Sequence, residues 1–155
     1  MKDAVREWSR GTVRISTDRT RLQVDVVHGF LAKSYWSPNV ARESVARAIE
    51  GSLCFGIYET ASQPERQVGF ARIVTDYASF AWIGDVFVDE SARGQGIATW
   101  LMEVIAGHPE LQNLRRWLLA TRDAHALYAK TGFTPLARPG DFMERKAPLG
   151  WTGRA

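Results

Sequence analysis

The segment that most constrains the fold is the junction over residues 85–106, where the apolar run DVFVD is followed by ESARGQGIA and then by TWLMEVIA. Apolar and β-branched residues before the loop are typical of a buried strand. Apolar residues after the loop recur with helical spacing, at Ile97, Trp100, Leu101, Val104 and Ile105. The junction therefore predicts a strand that passes through a short glycine-containing loop directly into an amphipathic helix.

The loop itself, RGQGIA at residues 93–98, has the chemistry of an anion-binding turn. Gly94 and Gly96 permit backbone angles that other residues avoid, and the free N–H groups of the following helix carry partial positive charge. Arg93 can add a charge-assisted hydrogen bond from the rim, and the small side chain of Ala98 leaves room for a bulky anion. From this loop alone, a phosphate cradle and a plain tight turn are equally open.

Length and composition favour a single domain and disfavour nucleic-acid or membrane binding. The chain has 155 residues, of which 45% are hydrophobic, enough for one core. Its net charge of +3 arises from charges spread along the chain, as in an ordinary solvated surface. No apolar run is long enough to span a membrane, and the N-terminus lacks an apolar signal core. With a single cysteine, Cys54, in the apolar run LCFGIY, we expect a cytoplasmic protein.

The order of the predicted elements gives a mixed α/β fold. Runs with strand character occupy 13–17, 53–59, 67–76, 80–89 and 115–121, and closing strands are predicted at 133–136 and 142–146. Apolar residues with helical spacing predict helices over 22–35, 37–51, 97–106 and 122–130. In the second of these, Ser37 is the expected N-cap and Pro38 the first helical residue, and Gly51 and Gly132 are the expected terminators of the second and fourth. We expect a mostly antiparallel first half, in one domain over residues 1–155 with its core at about 12–146.

Two motifs together resemble the GCN5-related N-acetyltransferase (GNAT) family. Residues 93–98 fit Gln/Arg-x-x-Gly-x-Gly/Ala, the acetyl-CoA signature that follows the family's fourth strand. Residues 126–133, ALYAKTGF, fit the family helix that ends Leu-Tyr-x-Lys-x-Gly-Phe. The element order also matches across nearly the whole chain. The resemblance implies the GNAT acyl-CoA N-acyltransferase fold, with a central, mostly antiparallel sheet flanked by about four helices.

The resemblance implies acetyl-CoA as the acetyl donor and assigns its contacts. The pyrophosphate is expected on the backbone N–H groups of the loop and first helical turn, at Gly94, Gln95, Gly96, Ile97, Ala98 and Thr99. The pantetheine arm is expected on the main chain of Phe87 and Val88, like an added strand, and the Val88 N–H is a candidate oxyanion donor. Thr121 stands where the family often has asparagine, so it either contacts the cofactor or serves only as a helix N-cap.

Two side chains are candidates for catalysis. Tyr128 matches the family tyrosine beside the thioester sulfur, where it would hydrogen-bond to the leaving thiolate. Asp85 lies within an apolar strand, where a carboxylate is costly unless it is solvated or paired. Some amine-acetylating members carry two carboxylates here, and Gly84 replaces one of them. Three roles therefore remain open for Asp85. It could act as the general base, it could anchor the substrate ammonium, or it could be a buried carboxylate that caps backbone N–H groups.

The acceptor is expected to be a primary amine of a small molecule. This amine would attack the thioester directly and so receive the acetyl group. The family places the acceptor pocket among aromatic positions that would suit an ammonium ion, here Tyr35, Trp36, Trp82 and Phe142, with Met143 beside them. Ordinary core packing is an equal alternative for each of them. A protein N-terminus or lysine, and a non-catalytic acyl-CoA sensor, are the alternative functions.

Neither a metal nor a defined oligomer is expected from the sequence. His28, His108 and His125 show no metal-ligand spacing, and the chemistry of the family needs no metal. Many GNAT proteins dimerise, so a homodimer is open, although no residue of the sequence indicates one.

Overall fold

The computed structural model describes residues 4–154 and is built around one mixed sheet. The strands follow one another across the sheet in chain order, as β1 Glu7–Arg10, β2 Val13–Ser16, β3 Leu53–Glu59, β4 Arg66–Thr75, β5 Phe80–Val88 and β6 Arg116–Leu119. Neighbours from β1 to β5 are antiparallel, and β6 runs parallel to β5. The mixed α/β class with a mostly antiparallel sheet is confirmed.

Helices cover the sheet through two separate apolar clusters. They are α1 Val24–Leu31, α2 Arg42–Glu50, α3 Ile97–Ala106 and α4 His125–Ala129. Val27 and Ile49 of the first two helices pack with Phe70 and Phe87 of the sheet. The other cluster joins α3 and Tyr128 to the opposite set of strand side chains. The sheet is therefore buried by helices on both faces.

Several predicted boundaries are wrong, each for a local physical reason. The sequence pattern gave no sign of β1, a short and largely exposed strand that is held by its pairing with β2. Helix α2 begins at Arg42, after an N-cap at Ala41, because Ser37 instead accepts a turn hydrogen bond from Val40 N. The helix predicted at 22–35 ends at Leu31, so that residues 32–41 form a loop.

The two predicted closing strands are also absent from the described chain. Residues 133–136, FTPL, and 142–146, FMERK, do not form strands. A strand exists only when its backbone finds a partner, and the sheet ends at β6. The expected terminators are confirmed, since Gly51 is the C-cap of α2 and Gly132, at φ 94°, ends the turn after α4.

A β-bulge interrupts β5 at Asp85. Phe70 pairs with Phe87, but the next pair towards the start of β5 joins Arg72 to Gly84, so Ala71 faces two residues of β5. Asp85 is the extra residue of the bulge. Its φ of 55° is a left-handed angle that aspartate tolerates better than most residues. The bulge reverses the alternation of side chains and turns Phe87 towards α1 and α2.

Strands β5 and β6 separate beyond the bulge. Their pairing runs only from Phe80–Arg116 to Ile83–Leu119, so the end of β5 has no strand on its β6 side among the described residues. Asp89 N donates to Val68 O at 2.7 Å on the other side. Because antiparallel ladders alternate, Phe87 directs its main-chain groups to β4 and Val88 directs its own to the open side. The fold thus leaves a gap with free backbone groups on one wall.

Candidate functional site

The gap between β5 and β6 opens into a cleft of about 850 Å³. Its walls come from the end of β5, the loop after α1, the first turn of α3 and the start of α4. The cleft brings together seven residues that the sequence singled out, namely Tyr35, Trp36, Phe87, Val88, Arg93, Ala98 and Tyr128. Residues from five separate segments of the chain therefore meet at one site.

The glycine loop adopts the conformation that an anion cradle requires. Gly94 and Gly96 have φ of 80° and 72°, both in the left-handed region, and no atom lies within 4 Å of where a Cβ would stand at either position. Gly96 is the N-cap of α3, and the first helical hydrogen bond runs from Trp100 N to Gly96 O at 3.0 Å. The N–H groups of residues 97–99 therefore have no acceptor within the helix, and can serve a bound anion.

Arg93 connects this loop to the end of β5. Its Nε donates to Val88 O at 3.0 Å, and the side chain lines the cleft. The bond satisfies a carbonyl that faces the open side of the strand, and it brings the guanidinium charge to the mouth of the cleft. The loop and the free edge of β5 are thus held as one surface.

Tyr128 forms the part of the cleft wall contributed by α4. Only 8% of this residue is exposed. Burial raises the pKa of its hydroxyl to about 12, and the neighbouring Tyr35 and Asp123 act in the same direction. The hydroxyl therefore stays protonated at neutral pH and can donate a hydrogen bond into the cleft.

Asp85 is fully paired and lies behind the cleft wall. Its Oδ2 accepts from Arg72 Nε at 2.8 Å, and its Oδ1 accepts from Trp36 Nε1 at 3.0 Å. Arg72 in turn donates through Nη1 to Ser52 Oγ at 3.1 Å. The Asp85 side chain is 13% exposed and is not among the lining residues. The pairing that makes a carboxylate tolerable in this strand is therefore an ion pair, and not the capping of backbone N–H groups.

The loop between α1 and α2 is fastened across the cleft at two points. One is the bond from Trp36 to the Asp85 carboxylate, and the other lies at Tyr35. The Tyr35 hydroxyl accepts from Arg122 N at 2.9 Å, and the Arg122 guanidinium lies 4.3 Å from the centroid of the Tyr35 ring. The two aromatic rings meet edge to face at 5.0 Å. The loop thus bridges the bulge of β5 and the turn before α4.

The sequence reasoning missed Asp123, which lines the same cleft. The other carboxylate in the lining, Asp89, accepts from Ser91 N at 3.1 Å and lies 3.8 Å from Arg66. Asp123 has no hydrogen-bond or ion-pair partner among the described residues, and it is close enough to Tyr128 to affect its pKa. Its position at the start of the Tyr128 helix was the available signal. It is a solvent-exposed carboxyl group that borders the cleft.

Two of the expected acceptor residues do not line this cleft. Trp82 does not line the cleft, because its indole folds over Gly84, with Nε1 3.1 Å from where a Cβ would stand. Phe142 lies in a separate groove, 5.3 Å from the Arg116 guanidinium. Thr121 also borders a different groove, and its Oγ1 accepts from Ala124 N at 3.1 Å, as a cap would.

Two of the three histidines, His28 and His108, make structural contacts. His28 Nε2 lies 3.0 Å from Val40 O, and His108 Nδ1 accepts from Glu110 N at 3.2 Å. Burial lowers the pKa of His108. Within residues 4–154, no three His, Cys, Asp or Glu side chains are placed to share a metal ion. In the same part of the chain, no helix has the length and apolarity to cross a membrane.

Comparison with known proteins relates this site to one family. Residues 50–135 match the acetyltransferase (GNAT) domain. A candidate acetyltransferase of the GNAT family from Xanthomonas campestris pv. campestris is 45% identical, with a TM-score of 0.83 over 90% of this chain and 96% of that one. A candidate acetyltransferase from Gibberella zeae is 29% identical over 143 residues, 79% of each chain. A candidate acetyltransferase from Clostridium acetobutylicum, solved with acetyl-CoA, is 15% identical, covers 92% of this chain and 95% of that one, and shares the fold with a TM-score of 0.60.

The pairing of Arg72 with Asp85 predicts a measurable coupling free energy. We expect a double-mutant cycle of Arg72→Met and Asp85→Asn in urea denaturation to give a coupling of about 1–3 kcal/mol, because the charges are mostly withdrawn from water. Asparagine tolerates the left-handed angle, so the bulge itself is preserved. The matched control is the exposed pair Arg138–Asp141, for which the same cycle should give a clearly smaller coupling. Equal couplings in the two cycles would contradict the assignment.

Proposed function

Since the chain belongs to the GNAT acetyltransferase domain family, we propose that it transfers the acetyl group of acetyl-CoA to the primary amine of a small molecule. The observation that carries the proposal is the cleft, where Arg93 and Ala98 at the two ends of an open glycine loop meet a free strand edge and a buried tyrosine. Each matches one chemical need of the reaction, namely phosphate binding, thioester positioning and stabilisation of the leaving sulfur. We further propose that one domain, spanning the whole chain, carries the activity.

The donor side of the cleft fits an extended ligand with an anionic end. The N–H groups of residues 94–99 would hold the pyrophosphate, aided by the Arg93 guanidinium. The free edge of β5 would bind the pantetheine amides like an added strand. Here the ladder favours Val88 over Phe87 as the donor, so the Val88 N–H is also the candidate for stabilising the oxyanion. Phe87 would contribute its ring, which stacks on Phe30 at 4.0 Å between centroids.

Transfer requires the neutral amine to attack the thioester carbonyl, so that a C–N bond forms and the C–S bond breaks. The sulfur leaves with the electron pair, and the Tyr128 hydroxyl would donate a hydrogen bond to it. With a tyrosine pKa of about 12 and a thiol pKa of about 8.5, complete proton transfer from Tyr128 is uphill by on the order of 5 kcal/mol. We therefore propose that Tyr128 stabilises the leaving sulfur by a hydrogen bond and does not transfer its proton. The proton that the amine loses balances the proton that the thiolate finally gains.

The acceptor side is suited to a small amine. Hydrogen bonds of Tyr35 and Trp36 fix the loop of residues 32–41, so that both aromatic side chains form part of the cleft wall. The aromatic rings suit the apolar body of an amine, and Asp123 offers a free carboxylate for its ammonium group. Asp85 would act through Trp36, whose indole it orients, so we propose a positioning role for it in preference to that of general base.

Acetyl-CoA binding should depend on the glycine loop. We expect Gly96→Trp to abolish saturable binding of acetyl-CoA in calorimetric titration, because the indole would occupy the cradle. The matched control is Gly150→Trp, which introduces the same side chain at a similar left-handed angle, φ 82°, in open space away from the cleft. The control should bind as the wild type does. Undiminished binding by Gly96→Trp would make the loop a plain turn and remove the basis of the proposal.

Turnover should depend on the Tyr128 hydroxyl. We expect Tyr128→Phe to lower kcat by about 10²-fold with a responsive amine from a panel of primary alkylamines, polyamines and amino sugars. Release of the CoA thiol is the readout. Phenylalanine preserves the packing, so acetyl-CoA affinity should not change. Saturable binding of acetyl-CoA by the wild type without thiol release from any amine would instead favour the non-catalytic sensor.

The two carboxylates should affect the kinetics differently. For the same amine, we expect Asp123→Asn to raise the acceptor KM several-fold and to leave the acetyl-CoA KM unchanged, since it removes the anion that faces the cleft. Asp85→Asn should mainly lower kcat, because it loosens Trp36. The reverse pattern, with the acceptor KM raised only by Asp85→Asn, would make Asp85 the substrate anchor.

A further inference from the structure

Thr152 and Gly153 dock against the start of helix α2. Both residues are half-buried, whereas residues 134–151 before them are all exposed. The contact is made through their carbonyl groups. Ala41 N donates to Thr152 O at 2.8 Å, and Ser44 Oγ donates to Gly153 O at 2.7 Å. These two residues are therefore held at a defined place, unlike the exposed stretch that leads to them.

Gly153 approaches α2 too closely for any other residue to take its place unchanged. A Cβ at this position would stand 2.2 Å from Ser44 Oγ and 2.8 Å from Ser44 Cβ, and the φ of 78° is left-handed. The same carbonyl also accepts from Arg47 Nη2 at 3.3 Å. Gly150 has a similar φ of 82°, but no atom lies within 4 Å of its Cβ position. The two glycines therefore differ in their approach to α2 and not in backbone angle.

The docked residues hold one end of the loop that borders the cleft. Ala41 is the last residue of the loop at 32–41 and also the N-cap of α2. Among the described residues, three hydrogen bonds connect this loop to parts of the chain outside itself and its two flanking helices. They join Trp36 to Asp85, Arg122 to Tyr35, and Ala41 to Thr152. The first two lie at the cleft, and the third fixes the far end of the loop.

We propose that Thr152 and Gly153 form a strap that positions the loop of residues 32–41, with Ser44 as the residue on α2 that receives it. The loop contains no helix or strand of its own, so its conformation depends on such attachments. Without the strap, Tyr35 and Trp36 would occupy their places at the cleft wall for a smaller fraction of the time. The effect on the loop does not depend on the proposed function, whereas the effect on acceptor binding rests on it.

The strap is tested first by hydrogen exchange with mass spectrometry, without acetyl-CoA or amine. The loop contains hydrogen-bonded amides at Asn39, Val40 and Ala41 that report on its opening. We expect peptides that cover residues 32–41 to exchange several-fold faster in Gly153→Ala and in Ser44→Ala than in the wild type. Peptides that cover the glycine loop and α3 should exchange at wild-type rates.

Two features of the variants separate the strap from general destabilisation. Gly150→Ala is the matched control, because it introduces the same methyl group at a similar left-handed angle in open space, and it should leave loop exchange unchanged. Ser44→Ala removes the hydroxyl donor while raising helix propensity, so the Tm should not fall through α2 itself. Wild-type exchange of the loop in Gly153→Ala or Ser44→Ala, or equal acceleration by Gly150→Ala, would overturn the proposal.

Kinetics test the consequence for the proposed acceptor site. Apparent affinity falls with the fraction of molecules that is competent to bind, so we expect Ser44→Ala to raise the acceptor KM about five-fold, as for loss of one hydrogen bond. A bound amine would itself restore the loop, so kcat and the acetyl-CoA Kd should not change. A merely structural role would lower the active fraction, and hence kcat, at an unchanged KM, and that result would overturn the positioning role. Absence of turnover by the wild type would contradict the proposed function alone, since hydrogen exchange tests the strap without it.

Discussion

The separation of β5 from β6 beyond Ile83 is the constraint on which the rest of the site depends. Backbone groups in a sheet need partners, and a parallel pair that ends early leaves those of Val88 facing a gap. The structure fills part of that need itself, since Arg93 donates to the Val88 carbonyl. Arg93 and Ala98, which flank the glycine loop, line the same cleft as Tyr128. The proposed donor, an extended molecule with an anionic end, would supply partners for the backbone groups along this wall.

The bulge at Asp85 explains how a charge is tolerated beside that gap. A regular strand would place residue 85 on the α3 face, within an apolar cluster. The extra residue turns the side chain to the other face, where Arg72 and Trp36 are its partners. The same interaction ties β4, β5 and the loop after α1 together. One local irregularity therefore reverses the strand's alternation, pairs the carboxylate and fixes the loop whose aromatic side chains line the cleft.

What the sequence could predict follows from the range of the interactions involved. The strand, glycine loop and helix at 85–106 form from neighbouring residues, so their pattern alone predicted these three elements, whereas the prediction of a cradle also needed the family resemblance. The partners of Asp85 lie 13 and 49 positions away in the chain, and no local pattern reveals such pairs. Trp82 and Phe142 were assigned to the acceptor wall by type and by family position. Their packing over Gly84 and against Arg116 places them elsewhere. The segment at 142–146 was predicted as a closing strand, but a local sequence cannot supply the neighbouring backbone that a strand requires.

Two spaces border the β6 end of the sheet, and they differ in the residues that line them. The open edge of β5 is short, ends where Arg93 binds Val88, and borders the cleft that Tyr35 and Trp36 also line. The outer edge of β6 is bordered by grooves that Trp117 and Leu118 line together with residues 133–136. Tyr128 borders both the cleft and the smaller of these grooves, so the packing of α4 determines the surroundings of the hydroxyl from both sides.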